Sequence, residues 1–551
     1  MTTAQISRRM FGGLGAVGVT ALLLASCGSN DSASTGSSEG AGAASGAGSA
    51  SGGKLTLAYN SDGPHKAWVE AVCNSVSNTL GISMEPLPFA QFSELRAQVT
   101  DRSIVGAFRT GWQADYPAMA NFLGAQYQTG AGSNDSDYSS EEFDTLLAES
   151  AAAPDEAAAT DLLIKAQAVL MKDLPTIPLW YQNGFGGHST RVSDVVFNWK
   201  SVPEYRQIKT TAPDGIILTN STEPQNPLVP SNTNETGGGR VVDLLFSMLV
   251  RFEADGTPVN EVAESIESED NQTYTIKIKD GWTFADGTPV TSDSFIKAWN
   301  YGALLSNAHL SSYFYDVIEG FSYEEDSELT GLTKVDDRTF TVKLTAPASD
   351  FRLRLGYSAF APLPESAFAD MDAFGQAPVG NGPYKFDSWT HDGEIVLSKN
   401  ADYKGGQTVA NEGVTFTLYT DYDAAYNDLL ADAVDVIDAI PDSALSSFAT
   451  ELGERAINQP GAVIQGFSIN VNAEHFKMDE EGRLRRAAIS RAINRKEICD
   501  TLYYETRTPA SDFTSPVIAD WTDAVEGNEV LDFDEAEAKS LWEQANAIAE
   551  F

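Results

Sequence analysis

The sequence predicts an α/β body built on mixed sheets. Three observations carry this. Short stretches alternate apolar and polar residues, most cleanly from Thr273 to Lys279, where Tyr274, Ile276 and Ile278 share one face. Longer stretches repeat apolar residues at helical spacing, as from Pro154 to Lys172 through Ala159, Leu162, Leu163, Ala166 and Leu170. The two kinds intermingle without the strict strand–helix alternation of a purely parallel sheet.

Each element has its own signal. Leu55, Leu57 and Tyr59 put one apolar face on a strand from Lys54 to Asn60. A helix follows from Lys66 to Leu80 and ends near Gly81. Residues 103–111 are of mixed pattern and read as a strand, and 140–150 as a helix. Ile177 to Tyr181 is a buried strand or a crossing segment. Ile216 to Asn220 is a strand, and Arg338 to Leu344 alternates through Phe340, Val342 and Leu344. Asp280-Gly281 and Asp286-Gly287 are turn signals. Thr291 or Ser292 can cap a helix running toward Gly302. The last predicted helix, Asp534 to Ala549, places Leu541, Trp542, Ala545 and Ile548 on one face.

Composition and the first residues bound the compartment and the partners. Arg8 and Arg9 precede an apolar run from Leu14 to Ala25, too short to span a bilayer. With Leu24-Ala25-Ser26-Cys27 this reads as a signal peptide over residues 1–27. The four residues resemble a bacterial lipobox, which makes Cys27 a lipidation site and the membrane a partner through an acyl anchor. Ser7 to Phe11 also fits a twin-arginine export motif, and an ordinary basic start is the alternative. Residues 28–53 are nearly all Gly, Ser and Ala and read as a flexible tether. A formal net charge of −42 argues against nucleic acid or anionic lipid as ligand. Cys73 and Cys499 sit in apolar helical patterns; two buried free thiols and a disulfide both stand as readings.

Sites of enzyme chemistry do not assemble. Gly13 to Gly18 matches a dinucleotide fingerprint, but it lies in the signal peptide and follows no strand. The five histidines, 65, 188, 309, 391 and 475, are scattered. There is no nucleophile elbow and no phosphate loop, and nothing singles out an acid–base pair among the many carboxylates, so the chain reads as a non-enzyme without a cofactor or metal, with an exported hydrolase as the other class.

From Asn271 to Trp299 the residues resemble a known family. Thr273-Tyr274-Thr275-Ile276-Lys277-Ile278-Lys279-Asp280-Gly281-Trp282-Thr283-Phe284 and the following Asp286-Gly287-Thr288-Pro289-Val290 are similar to the signature of the family 5 solute-binding proteins. These are the oligopeptide- and dipeptide-binding lipoproteins of ABC importers. Pro378 to Phe386, Asn400 to Gly406, Arg485 to Arg495, and Gly111 to Tyr116 resemble further family segments. The order differs. Family members begin with segments like 214–300 and finish with segments like 54–208, so the chain reads as a circular permutant. The old ends are joined around Ile208 to Pro213. Lys54 and Phe551 are then expected close together in one folded monomer, with exchange of segments between two chains as the alternative.

The resemblance implies a two-lobed periplasmic-binding-protein-like fold of the large peptide-binding type. A proximal lobe covers 185–465 and includes an extra subdomain at 241–377. A distal lobe is assembled from 54–184 and 466–551. Peptide is held between them through its main chain and its charged ends. Asp115 matches the family's Asp that pairs with a ligand α-ammonium, and Arg109 the Arg that reads a carboxylate. For Asp115 a turn role, for Arg109 an internal salt bridge, and for Trp112 a core position are the alternatives to ligand contact. Gly111 belongs to the same segment. Ser231, Asn232 and Thr233 align with an edge segment that pairs with peptide, and an ordinary polar loop is the other reading. The partners implied are a short peptide and an ABC permease at the extracytoplasmic face of the membrane. A metal chelate, haem, sugar or opine, or a sensing role, are the alternatives within the same fold.

Overall fold

The structure is a computed structural model that describes residues 48–551. Cys27, the signal peptide and most of the tether lie outside those residues. The end of the tether departs from the expectation of an unstructured linker. Ala50–Ser51 pairs antiparallel with Lys54 and Leu55, and Ala50 is buried. Gly52 and Gly53 both take positive φ, +64° and +75°, which is what a two-residue hairpin turn requires.

Among the described residues one twelve-stranded sheet forms the spine. Its order is 50–51, 54–60, 107–113, 456–469, 176–188, 436–437, 216–221, 413–418, 394–399, 384–390. Ser83–Phe89 adds to Lys54–Asn60, and Arg507–Pro509 to Thr176–His188. Lys54–Asn60 is parallel to Ser83–Phe89 and to Ala107–Gln113, and Ile216–Ser221 is parallel to Gly413–Leu418. The remaining pairings include long antiparallel ones, so the sheet is mixed, as the sequence predicts. A separate four-stranded antiparallel sheet holds Ala263–Glu267, Thr273–Ile278, Thr339–Lys343 and Leu332–Lys334.

Two long strands run through the whole spine. Thr176–His188 and Ala456–Ile469 pair antiparallel along nearly their full length. The apolar cores fall on either side of them. One core gathers residues from Val192 to Val436. Two others gather residues 50–180 with 467–542, and 114–181 and Trp199 with 462–531. Phe252 packs against both sides. This is a two-lobed α/β molecule joined by two continuous strands.

Local chemistry explains where elements begin and end. Lys66–Leu80 stops at Gly81, whose φ of +71° closes the last turn. Ser140, Asp155 and Asp534 each accept from a backbone N–H and start their helices. Thr291 and Ser294 form a reciprocal capping box for Ser292–Ala303. Strand Thr273–Ile278 alternates exposed and buried residues along its length. Two expectations shift. The strand read at 103–111 is Ala107–Gln113, because 101–106 turn and pack instead of pairing. Ile548, expected on the buried face of the last helix, is 53 % exposed, because the packing face ends at Ala545.

The last helix, Glu535–Ile548, shares a core with Leu55 and Leu57. The Phe551 ring lies 5.2 Å from that of Trp542. Arg485, fully buried, sits between these two rings and donates to the Ala549 carbonyl at 2.6 Å. Cys73 and Cys499 are buried in this core and are free thiols.

Candidate functional site between the lobes

Ala107–Gln113 lies along Ala456–Ile469, with Arg109 opposite Phe467 and Gly111 opposite Gln465. A side chain at Gly111 would meet the Ile464 carbonyl at 2.9 Å, so the close strand approach needs glycine there. Beyond the strand, Ala114 N–H donates to the Ala462 carbonyl at 2.9 Å. Ala462 N–H in turn donates to the Trp199 carbonyl at 2.8 Å. These bonds set Asp115 beside the 198–206 loop.

Asn121 organises this corner. Its Oδ1 accepts from Trp112 Nε1–H and from Asp115 N–H, both at 3.0 Å. Its Nδ2 donates to Asp115 Oδ2 at 3.0 Å. Asp115 is half-buried. Burial pushes its carboxyl above the usual range, while the Asn121 bond and the charges of Lys200 and Arg354 pull it down. Trp112 is partly buried against the distal core, so its ring both packs and carries a bond that positions Asp115.

Segments 199–243 and 349–354 supply the surroundings. Lys200 Nζ lies 3.1 Å from Asp243 Oδ2 and 5.3 Å from the Trp199 ring centroid. Tyr116 Oη donates to Asp350 Oδ2 at 2.6 Å, and Arg354 Nε reaches the same oxygen at 3.3 Å. Nearby, Ser349 N–H donates to the Ala151 carbonyl at 3.0 Å, and Asn271 Nδ2 to that of Ala153 at 2.8 Å. The lobes therefore touch directly beside Asp115, as well as through the long strands.

Arg109 stands apart. Its Nε donates to Asn60 Oδ1 at 2.6 Å and its guanidinium lies 5.0 Å from the Phe92 ring. Asp62, held by Asn60 and by Phe92 N–H, is near enough to favour its charge without forming an ion pair. Burial is the larger effect and lowers the Arg109 pKa. Arg109 and Asp115 have no shared partner among the described residues; six steps of largely extended chain separate them, at most roughly 20 Å.

Ser231, Asn232 and Thr233 occupy a short turn, Pro230–Asn232, and its exit rather than a strand edge. Ser231 Oγ is 2.8 Å from His309 Nδ1, and Asn232 Oδ1 accepts from Leu310 N–H at 3.2 Å. Thr233 Oγ1 donates to the Val229 carbonyl at 2.9 Å. These contacts tie the turn to its own lobe.

Several residues of this corner gave no sign in the sequence. Asn121 has one faint mark, a polar residue inside the apolar run Met119 to Leu123. Lys200, Asp243, Arg354 and Tyr357 come from distant segments, and only the tertiary fold gathers them around Asp115 and Trp199.

A mixed α/β architecture with its apolar cores on either side of two long paired strands defines a two-lobed protein. The family model of the bacterial extracellular solute-binding proteins, family 5 (middle), matches residues 257–551, just over half of the chain. The chain belongs to that family, which is one of solute-binding proteins and not of enzymes. It is 28% identical over 356 residues to the dipeptide-binding protein DppE of Bacillus subtilis, covering 61% of this chain and 62% of DppE. It is 26% identical over 316 residues to the periplasmic oligopeptide-binding protein OppA of Salmonella typhimurium, covering 55% and 56%. The unliganded open form of the murein tripeptide binding protein MppA superposes with a TM-score of 0.50 at 21% identity, over 61% of this chain and 66% of that one. The chain thus spans about three-fifths of the length of these curated relatives. Among the described residues no helix is long and apolar enough to cross a membrane.

Proposed function

We propose that this protein captures short peptides between its lobes and delivers them to an ABC importer at the extracytoplasmic face of the membrane. One observation carries the reading. Asp115 is a half-buried carboxylate, positioned by Asn121 through one oxygen, with no ion-pair partner among the described residues. Such a group is suited to a ligand ammonium, because a desolvated carboxylate gains from a cation brought to it. Relatives named for dipeptide and oligopeptide binding support peptide as the class. Beyond Phe108 the outer side of strand Ala107–Gln113 has no strand partner among the described residues, which supports main-chain recognition, the mode that holds peptides of many sequences alike. Arg109 is proposed as a second, more distant reader of ligand charge, with Trp112 and Gly111 as wall and floor between the two. Ser231, Asn232 and Thr233 are proposed to shape the facing lobe.

The proposal extends to the ends of the chain. Cys27 is the proposed lipid attachment, and the order of segments the result of circular permutation, with a distal lobe of 54–184 and 466–551. The shared core of Leu55, Trp542 and Phe551 supports this division.

Mass spectrometry of ligand co-purified with the protein, followed by calorimetry with that ligand, tests the function. Short peptides in the eluate support it. A non-peptide solute binding with micromolar affinity while peptides fail would replace it. Lipid on Cys27 is read separately, by mass spectrometry of the membrane-extracted amino-terminal fragment.

A further inference from the structure

Away from the two long strands the lobes meet again. Buried Tyr116 donates to Asp350, and the Arg354 guanidinium lies 5.7 Å from the Tyr116 ring centroid. Pro117 packs on Gly256, where an added Cβ would meet the Pro117 Cβ at 3.1 Å. A further contact lies where helix Glu141–Ala151 stops. Phe143 and Leu147 of that helix pack in the core that gathers 114–181. Phe351, beside Asp350, packs in the core that runs from Val192 to Val436. The contacts therefore join two cores that the chain builds separately.

At the end of the helix the bonds form a cap supplied from the other core. The last carbonyls of an α-helix have no partner within it. Here the Ala151 carbonyl accepts from Ser349 N–H at 3.0 Å, and the Ala153 carbonyl, just past the helix, from Asn271 Nδ2 at 2.8 Å. The Ser150 carbonyl, which already accepts from Ala153 N–H, takes the Ser349 hydroxyl as well, at 3.1 Å. Asn271 is fixed on its own side of the boundary. Its carbonyl accepts from Ala348 N–H at 2.8 Å, and Asp270 Oδ1 accepts from the N–H groups of Gln272 and Thr273 at 2.9 and 2.7 Å. Its φ of +54° is left-handed, a conformation asparagine tolerates better than most residues. The turn thus presents the Asn271 amide at one defined place.

We propose that Asn271 and Ser349, closing on the Ser150–Ala153 corner, form a latch that holds the lobes together by protein contacts alone. The bonds exist only while the lobes are together, so they favour that state by their own strength. When the lobes part, the same groups turn to water, which leaves a net gain of about fivefold per bond. A solute that binds the closed form then has less of the closing to drive, and its apparent affinity rises with the fraction already closed. The inference does not depend on which solute that is.

The experiment is small-angle scattering of the full chain, freed of co-purified solute, as wild type and as the double variant Asn271→Gly, Ser349→Ala. Glycine removes the amide and accepts the left-handed backbone without strain, and alanine removes the hydroxyl but keeps the N–H. Loss of the two side-chain bonds is expected to lower the closed-to-open ratio at least about tenfold, read as a larger radius of gyration in the variant. Equal radii overturn the latch. Hydrogen exchange of the wild type reads it without any substitution: the Ser349 amide is expected to exchange at least about tenfold more slowly than an unbonded amide. A Ser349 amide that exchanges as fast as one in an open loop overturns the proposal, even where the double variant fails to fold.

Discussion

Replacing Asp115 by Asn separates the binding role from a structural one, because the two predict opposite signs. The amide keeps the shape and can still accept from Asn121 Nδ2, so the local hydrogen-bond pattern survives. What disappears is the charge. In the folded protein burial raises the Asp115 pKa, and the Asn121, Lys200 and Arg354 contributions do not fully offset it. A carboxylate with a raised pKa is a net cost to folding at neutral pH, so Asp115→Asn should melt at the same temperature or higher. Affinity should fall. Removing one partner of a buried charge pair costs about 2–5 kcal/mol, and a half-buried position belongs in the lower part of that range. A loss of about 2–3 kcal/mol corresponds to about 30- to 150-fold in Kd. Calorimetry with a short peptide, alongside thermal melts of the same preparations, gives both numbers. Unchanged affinity would remove Asp115 from the ligand site. A clear drop in melting temperature with unchanged affinity would make it a turn residue instead.

Other expectations follow from contacts already described. Burial holds His309 at a pKa of about 4, below the unfolded value near 6.5, so the folded state resists its protonation. The stability this neutral form allows is present above pH 6.5 and is lost as pH falls toward 4, by about 2 kcal/mol at pH 5. His309→Gln should flatten that part of a pH-dependent denaturation curve, and an unchanged slope would refute the assignment. Tyr116→Phe removes the donor to Asp350 where the lobes touch, and should cost about 1.5–3 kcal/mol in urea unfolding, the range for a hydrogen bond to a charged acceptor; a loss under 0.5 kcal/mol on the order-of-magnitude scale of that bond would mean the contact does not form in solution. Burial pushes the thiols of Cys73 and Cys499 up to about 12, so neither should react with a thiol reagent at neutral pH until the protein is unfolded. Joining Phe551 to Lys54 by a short linker and opening the chain near Pro213 should give a cooperatively folding protein, and failure to fold would count against circular permutation.

Much of the local structure was legible because its causes are local. The helix Lys66–Leu80 and its Gly81 stop, the capped helix Ser292–Ala303 and the alternating strand Thr273–Ile278 depend on residues within one or two turns of each other. The family resemblance likewise rests on contiguous runs. The ends of the strand at 107–113 and of the last helix's apolar face were less legible. They depend on which neighbour a residue meets, and a pattern alone does not say where packing stops. The site shows the same division. Asp115, Trp112 and Arg109 stand in one short segment, and the family resemblance of that segment nominates them. Asn121, which fixes the first two, was missed because a buried asparagine has no periodic signal.

By itself the sequence determined the class of fold, the positions of most helices and strands, and the family. Only the tertiary structure decided what surrounds Asp115. It brought Lys200 beside Asp115 through the paired backbone of Trp199, Ala462 and Ala114, and closed Tyr116 onto Asp350. It also placed Arg109 with Asn60 and Phe92, well away from Asp115. The physical reason is that secondary structure follows from short-range sterics and hydrogen bonding, whereas the field and solvation of a carboxylate depend on whatever long-range packing sets against it.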